Sequence, residues 1–294
     1  QKQPDIMIVA TPGEYGLCGA WLASRKQIPF LTGFHTSFEK LTELYWPDSL
    51  RGKIVEFYFR HSNAYLFKRS EAVLGNSASI LRQASAMGAP QVKLIGTPIS
   101  AEFAQHPLAD YHGKFQKLLF AGRLAKEKNI EAIIDCAAQL PQLNFSIAGD
   151  GPLRDLVLEA AGNLENLDYL GWLSRDDLRR TVDSHDALLL PSWFETFGTI
   201  ALESMARQRP VIVSRGCGIS DWPDLAETLF VIGRDENLYA TLLSIMQMPR
   251  QKRLEKVAAA YNAALAFNNR VAKSWCELLT DTLNHYHAGH NFHS

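Results

Sequence analysis

Short apolar runs punctuate the chain, each about one strand long and most ending in a turn residue. They are IMIVA (6–10), PFLTGF (29–34), AVLGNS (72–77), VKLIGT (92–97), KLLFAG (117–122), NFSIAG (144–149), LDYLGW (167–172), ALLLP (187–191), PVIVS (210–214) and LFVIG (229–233). Between most of them apolar residues recur at helical spacing, as in EAIIDCAAQL and DDLRRTVDSH. Strand and helix signals in alternation predict parallel sheets covered by helices on both faces. Ten strand signals in 294 residues favour two Rossmann-like sheets over one. The stretch 97–114, TPISAEFAQHPLADYHGK, is rich in proline, histidine and small residues and is the expected boundary. Near the end, Leu254, Val257, Ala258, Tyr261 and Leu265 predict one helix. Val271, Trp275, Leu278, Leu279 and Leu283 predict a second. The expected division is a partial first domain, 1–108, a second domain, 109–267, and a terminal helix and tail, 268–294, crossing back to the first.

Composition narrows the function classes. Hydrophobic residues make up 47% and charged residues 21%, an ordinary globular balance. A formal net charge of −1 gives no argument for nucleic-acid binding. Cys18, Cys136, Cys217 and Cys276 are scattered with no CxxC pair, as expected of reduced thiols in the cytoplasm. No apolar run reaches the roughly 18 residues of a membrane span. The chain enters a strand almost at once and has no initiator methionine, so its opening is expected to be cut.

Three strand-to-helix turns could carry chemistry. In KLLFAGRLAKEKNIEAII a strand ends at Gly122, and Arg123, Lys126 and Lys128 follow before a helix begins near Asn129. Cations at the carboxyl end of a parallel strand, beside a helix N-terminus, suit a phosphate; a solvated basic turn is the alternative. In FSIAGDGPLRDLV a glycine turn at Gly149 brings backbone close to whatever lies above the sheet, and a helix is predicted from Pro152. In FETFGTIALE, Glu195 and Glu203 flank Gly198, with seven residues between them and a helix starting near Gly198 or Thr199.

Paired glycosidase carboxyls stand about 5 Å apart in retaining enzymes and about 6.5–9.5 Å apart in inverting ones. Eight helical residues span roughly 12 Å, which disfavours that use without excluding it. Two separate tasks fit better, one acid holding a sugar and the other a ribose. A diphosphate between them would rest on the helix N-terminus, Arg123 and Lys128. The plain alternative is a helix-surface Glu203 and an ordinary loop Glu195.

FAGRLAKEKN, IAGDGPLRDL, YLGWLS, FETFGTIALE and PVIVS, in this order, resemble the retaining glycosyltransferases of glycosyltransferase family 4. The resemblance covers nearly all of the chain. It implies the α/β GT-B fold, two facing Rossmann-like parallel-sheet domains, here with the first truncated because the glycine-rich opening turn of the family is missing. It implies that Arg123 and Lys128 bind the donor diphosphate, Glu195 the hydroxyls of the donor sugar, and Glu203 the nucleotide ribose. Phe197, Gly198 and Thr199 would turn backbone N–H groups to sugar and phosphate, and Leu173 would offer backbone atoms to the base. Gly122 and Gly149 complete the donor side. In PFLTGFHTSFEK, His35 matches a family histidine that reaches the donor sugar. The catalytic set implied is thus Glu195, His35, Arg123 and Lys128. Departures are Cys217 for a second glycine, Asp221 for a glutamate, and TPIS for a glycine–apolar–aspartate linker.

The expected substrates are a UDP- or GDP-linked sugar and a lipid or saccharide acceptor, with no metal and no other cofactor. Residues 36–70, aromatic and moderately basic, look most like the lipid-glycosylating mannosyl- and sulfoquinovosyltransferases. They could lie on the inner face of a membrane, or be core aromatics with a solvated charged face. His285, His287, His290 and His293 at the end are weighed as a metal site and set aside, because they lack ligand spacing. Two rivals stay open: an epimerase or phosphorylase on the same fold, and a non-catalytic nucleotide-sugar binder.

Overall fold

The computed structural model describes residues 3–233 and 236–290. These form two compact units, one running to Thr97 and taking in residues from Asn269 onward, the other Pro98–Asn268.

In the first unit β1 (Met7–Val9), α1 (Glu14–Arg25), β2 (Phe30–Gly33), α2 (Phe38–Tyr45), α3 (Leu50–Phe67), β3 (Val73–Gly75), α4 (Ala78–Ala86) and β4 (Val92–Leu94) follow one another. The strands pair in parallel in the order β1-β2-β3-β4. Leu31, Leu74 and Ile95 pack on one another and on Leu278 and Trp275 from the end of the chain. The Trp275 indole donates to the Gly96 carbonyl at 3.1 Å.

The second unit opens with α5 (Ala101–Ala104). It continues β5 (Lys117–Ala121), α6 (Ile130–Gln139), β6 (Asn144–Ala148), α7 (Arg154–Asn163), β7 (Leu167–Gly171), α8 (Arg175–Ser184), β8 (Ala187–Leu190) and α9 (Thr199–Ala206). It ends β9 (Val211–Val213), α10 (Pro223–Ala226), β10 (Phe230–Val231), α11 (Leu238–Gln247) and α12 (Arg250–His290). The sheet is again parallel, in the order β10-β9-β8-β5-β6-β7. All ten predicted strands are present. Buried on both faces, β5 and β8 read as unbroken apolar runs, not as alternations.

Two expectations need correction. The two terminal helices are one, α12, because no glycine or proline interrupts 250–288. The helix after Gly149 opens at Arg154, since residues 151–153 form a turn. The compact units divide after Thr97, and residues 98–107 are tied into the second unit.

That tie is Arg207, fully buried at the end of α9. Its Nε and Nη2 fork onto the two oxygens of Asp183 at 2.8 and 2.7 Å. The remaining donors reach the carbonyls of His106 at 2.8 Å and Pro107 at 2.5 Å. Asp183 also receives Arg179 at 3.1 Å. A buried guanidinium must find such partners, since an unpaired buried charge is very costly. Removing one partner of a buried pair costs about 3–5 kcal/mol. Arg207→Ala is therefore expected to lower the unfolding free energy by about that much in urea titration. It should also raise amide exchange selectively across residues 98–107.

A half-buried histidine sets a pH dependence. The His185 Nδ1–H donates to the Thr181 carbonyl at 2.6 Å, and Nε2 faces the Ser146 hydroxyl at 2.9 Å. Desolvation holds its pKa below 6.5, partly offset by the Thr181 bond. The unfolded chain takes up a proton near pH 6.5 and the folded chain only at lower pH. Stability from this ring is thus fully present above about pH 6.5 and declines as pH falls through the depressed folded pKa. His185→Gln is expected to flatten the melting temperature between pH 7 and 5, read by thermal denaturation across that range.

Candidate functional site

The second sheet reverses its winding between β5 and β8, which pair at Leu118–Ala187 and Leu119–Leu188. At such a switch point the loops leaving the two strands diverge and open a crevice at the carboxyl edge of the sheet. One loop, 122–129, carries Arg123 and Lys128, and the other, 191–198, carries Glu195. The Trp193 amide donates to the Glu127 carbonyl at 2.9 Å, and the Asn129 amide group to the Pro191 carbonyl at 3.2 Å. Across this seam Lys128 Nζ forms an ion pair with Glu195 Oε2, both side chains being largely buried.

Backbone geometry fixes Glu195. Its amide donates to the Gly216 carbonyl at 3.0 Å and its carbonyl accepts from the Gly218 amide at 2.8 Å, a parallel bridge to Cys217. Gly198 follows with φ 87°, a left-handed turn that leads into α9. A Cβ there would stand 2.9 Å from Cys217 Sγ. Cys217, fully buried, donates its thiol to the Phe197 carbonyl at 3.3 Å. Burial, with Glu195 nearby, pushes that thiol pKa well up, so it remains a neutral packing group. The Phe197 ring is buried and stacks on Phe267 at 5.8 Å, so only its backbone is left for a ligand.

The turns after β5, β6 and β7 enclose a cavity of about 310 Å³, lined by Gly122, Arg123, Gly149, Asp150, Leu173 and the exposed Trp172 among others. Gly149, φ 138°, lets two turns meet: a Cβ there would lie 1.8 Å from the Gly122 carbonyl oxygen. Arg123, half exposed, pairs with Glu127, whose carboxylate is buried. Leu178 of α8 closes the far wall.

Glu203 stands apart from Glu195. It is 1% exposed, which overturns the surface-acid alternative. Its Oε1 accepts from Ser100 Oγ at 2.9 Å and from Arg175 Nη2. The two carboxylates thus have different partners, Lys128 for Glu195 and Arg175 for Glu203. Gly122, Arg123, Gly149 and Leu173 meet in one cavity, and Lys128 and Glu195 meet at the seam. His35 belongs to the first unit and follows β2. Desolvation lowers its pKa, so the ring is neutral near pH 7. His285 makes a local bond to the Asp281 carbonyl at 2.7 Å. The side chains of His287, His290 and His293 lie outside the described residues.

Sequence reasoning missed Ser100, Glu127, Trp172 and Arg175. An N-cap signal at Ser174 marks the start of α8, but nothing local pairs Arg175 with an acid in α9.

The chain matches the family model described as glycosyl transferases group 1 over residues 108–263, and that of glycosyltransferase family 4 over 1–103. It is 25% identical over 231 residues to a sulfoquinovosyl transferase of Arabidopsis thaliana, covering 74% of this chain and 44% of that protein. To an alpha-monoglucosyldiacylglycerol synthase of Streptococcus pneumoniae it is 27% identical over 229 residues, 72% of this chain and 52% of that one. The chain therefore spans about half the length of these curated relatives, and 28% of the alpha-D-kanosaminyltransferase of Streptomyces kanamyceticus, to which it is 31% identical over 110 residues, 35% of this chain. Anabaena HepE, solved in complex with UDP-glucose, superposes with a TM-score of 0.73 at 16% identity, covering 93% of this chain and 79% of that one. The shared fold is GT-B.

Left-handed backbone costs a residue other than glycine about 1–2 kcal/mol. Gly198→Ala is expected to lose at least that much stability by thermal or urea denaturation. Adding Cys217→Ala should recover only the part owed to the sulfur contact.

Proposed function

The chain belongs to the glycosyl transferases group 1, with a first unit of the family 4 type, and on that premise we propose that it transfers a sugar from a nucleoside diphosphate sugar with retention. The observation that carries this reading is the Lys128–Glu195 ion pair over the switch point between β5 and β8. It sets a cation for phosphate and a carboxylate for sugar hydroxyls side by side where parallel sheets bind ligands.

In this reading the cavity at Gly122, Gly149 and Leu173 takes the base, and Arg123 and Lys128 take the diphosphate. Glu203 holds the ribose, and backbone N–H groups near Gly198 and Thr199 face sugar and phosphate. As the glycosidic bond stretches, negative charge grows on the leaving diphosphate, and Arg123, Lys128 and those N–H groups stabilise it. Glu195 orients the sugar while positive charge develops at its anomeric carbon. The acceptor attacks from the same face and gives its proton to the leaving phosphate, so neither a protein nucleophile nor a metal is required.

The donor is UDP- or GDP-linked and the acceptor a lipid or saccharide. Leu50, Ile54, Phe57 and Tyr58 stand exposed on α3 beside Arg51, Lys53 and Arg60, which supports a lipid acceptor met at the cytoplasmic face of a membrane. Among the described residues, no helix is long and apolar enough to cross a membrane.

Calorimetric titration with UDP and with GDP tests the donor site. One nucleotide is expected to bind, and Arg123→Ala to weaken it about 10- to 100-fold by loss of a charge-assisted bond. Unchanged affinity overturns the phosphate role. Glu195→Gln should lower sugar transfer far more than nucleotide affinity. Product analysis without acceptor separates transfer from epimerisation or phosphorolysis.

A further inference from the structure

Glu203 is held by one oxygen only. Ser100 and Arg175 both take Oε1, while Oε2 is buried and has no hydrogen-bond partner among the described residues. Such an arrangement is unusual, because a buried carboxylate oxygen without a donor loses its hydration and gains nothing in return. Geometry does not force it. In the same unit Arg207 forks onto both oxygens of Asp183, showing how a guanidinium satisfies a carboxylate when closure is the purpose.

Arg175 is itself fixed although its side chain is 48% exposed. Its Nη2 lies 2.6 Å from Ser100 Oγ, and its guanidinium sits 5.0 Å from the centre of the Phe103 ring. Ser100 occupies the N-cap position of α5 but makes no capping bond, its hydroxyl being given to Glu203. Local stability that a cap would supply is thus given up for this cluster. Arg175 also stands in sequence between Leu173 and Leu178, both of which line the cavity at the strand ends.

We propose that Arg175, with Ser100, is a positioning residue of the donor site, fixing Glu203 through Oε1 and keeping Oε2 as the acceptor for a ribose hydroxyl of a nucleoside diphosphate. This rests on the donor-site reading above and adds the residues that orient its ribose acid. Arg175 acts through Glu203. Its guanidinium pairs with the buried carboxylate, and its contacts with Ser100 and Phe103 hold that pair in one orientation. The ribose hydroxyl then supplies the donor that Oε2 lacks.

The test compares ribose recognition with phosphate recognition in one titration series. UDP and GDP, their 2′-deoxy and 3′-deoxy forms, and inorganic pyrophosphate are titrated into the wild-type chain and into Arg175→Gln, Arg175→Lys and Ser100→Ala. Thermal melts of each variant serve as the folding control. The wild type is expected to prefer the ribonucleotide over at least one deoxy form by about tenfold, the worth of one hydrogen bond to a charged group. Arg175→Gln should remove most of that preference and leave affinity for the deoxy form and for pyrophosphate unchanged. Arg175→Lys should restore part of it, and Ser100→Ala should lose a smaller part. If Arg175→Gln melts well below the wild type, the lysine and Ser100→Ala variants decide by the same ratio. An unchanged ribose preference in folded variants overturns the role of Arg175 and leaves the donor site standing. Equal binding of ribo and deoxy forms by the wild type overturns the ribose role of Glu203, and this inference with it. Absence of any nucleotide binding by the wild type overturns the donor-site reading itself.

Discussion

Two neighbouring parallel strands, β5 and β8, lead to helices that continue the sheet in opposite directions, and the site depends on this one topological constraint. Right-handed crossovers then send α6 and α9 to opposite faces, and the loops before them must part above the sheet. A crevice of that kind exposes strand-end backbone and helix N-termini to whatever enters. The chain fills it with charge. Lys128 from one loop pairs with Glu195 from the other, and a backbone bond from the Trp193 amide to the Glu127 carbonyl joins the loops. In the proposed function an entering diphosphate would compete with Glu195 for a cation that is already placed.

Burial of charge organises the rest of the second unit. Arg207, Glu203 and Glu127 are buried, and each finds a partner from elsewhere in the fold or a turn away. Pairing in low dielectric is costly to assemble and costlier to break, so such ties specify geometry more than they add stability. Arg207 illustrates this by binding the carbonyls at 106 and 107 and so assigning a stretch of linker composition to the second unit. Arg175 illustrates the opposite choice, a tie that leaves one carboxylate oxygen unsatisfied. In the proposal above, the closed pair is a structural use of arginine and the open pair a ligand-directed one.

Much of this was legible before any coordinates. Strand-length apolar runs located all ten strands, because a strand buried on both faces must be apolar throughout. Glycine at 122, 149 and 198 marked the strand-end turns, since backbone there must approach closely or turn left-handed. Order and spacing of FAGRLAKEKN, IAGDGPLRDL and FETFGTIALE pointed to one family and to the residues proposed here for the donor. The end of the chain was read as two helices because the apolar pattern was judged in two windows, whereas nothing in 250–288 breaks a helix.

Local signals, then, fixed what each segment becomes: period, turn chemistry and motif order are properties of adjacent residues. Pairings between distant residues were decided only by tertiary structure. Glu203, for which an exposed helical acid was the plain alternative, is buried against Arg175 and Ser100, 28 and 103 residues away. Linker-like residues 98–107 belong to the second unit through Arg207, a hundred residues later, and through Ser100 on Glu203. Desolvation and ion pairing depend on which groups share a volume, and the chain sets that only once it has folded.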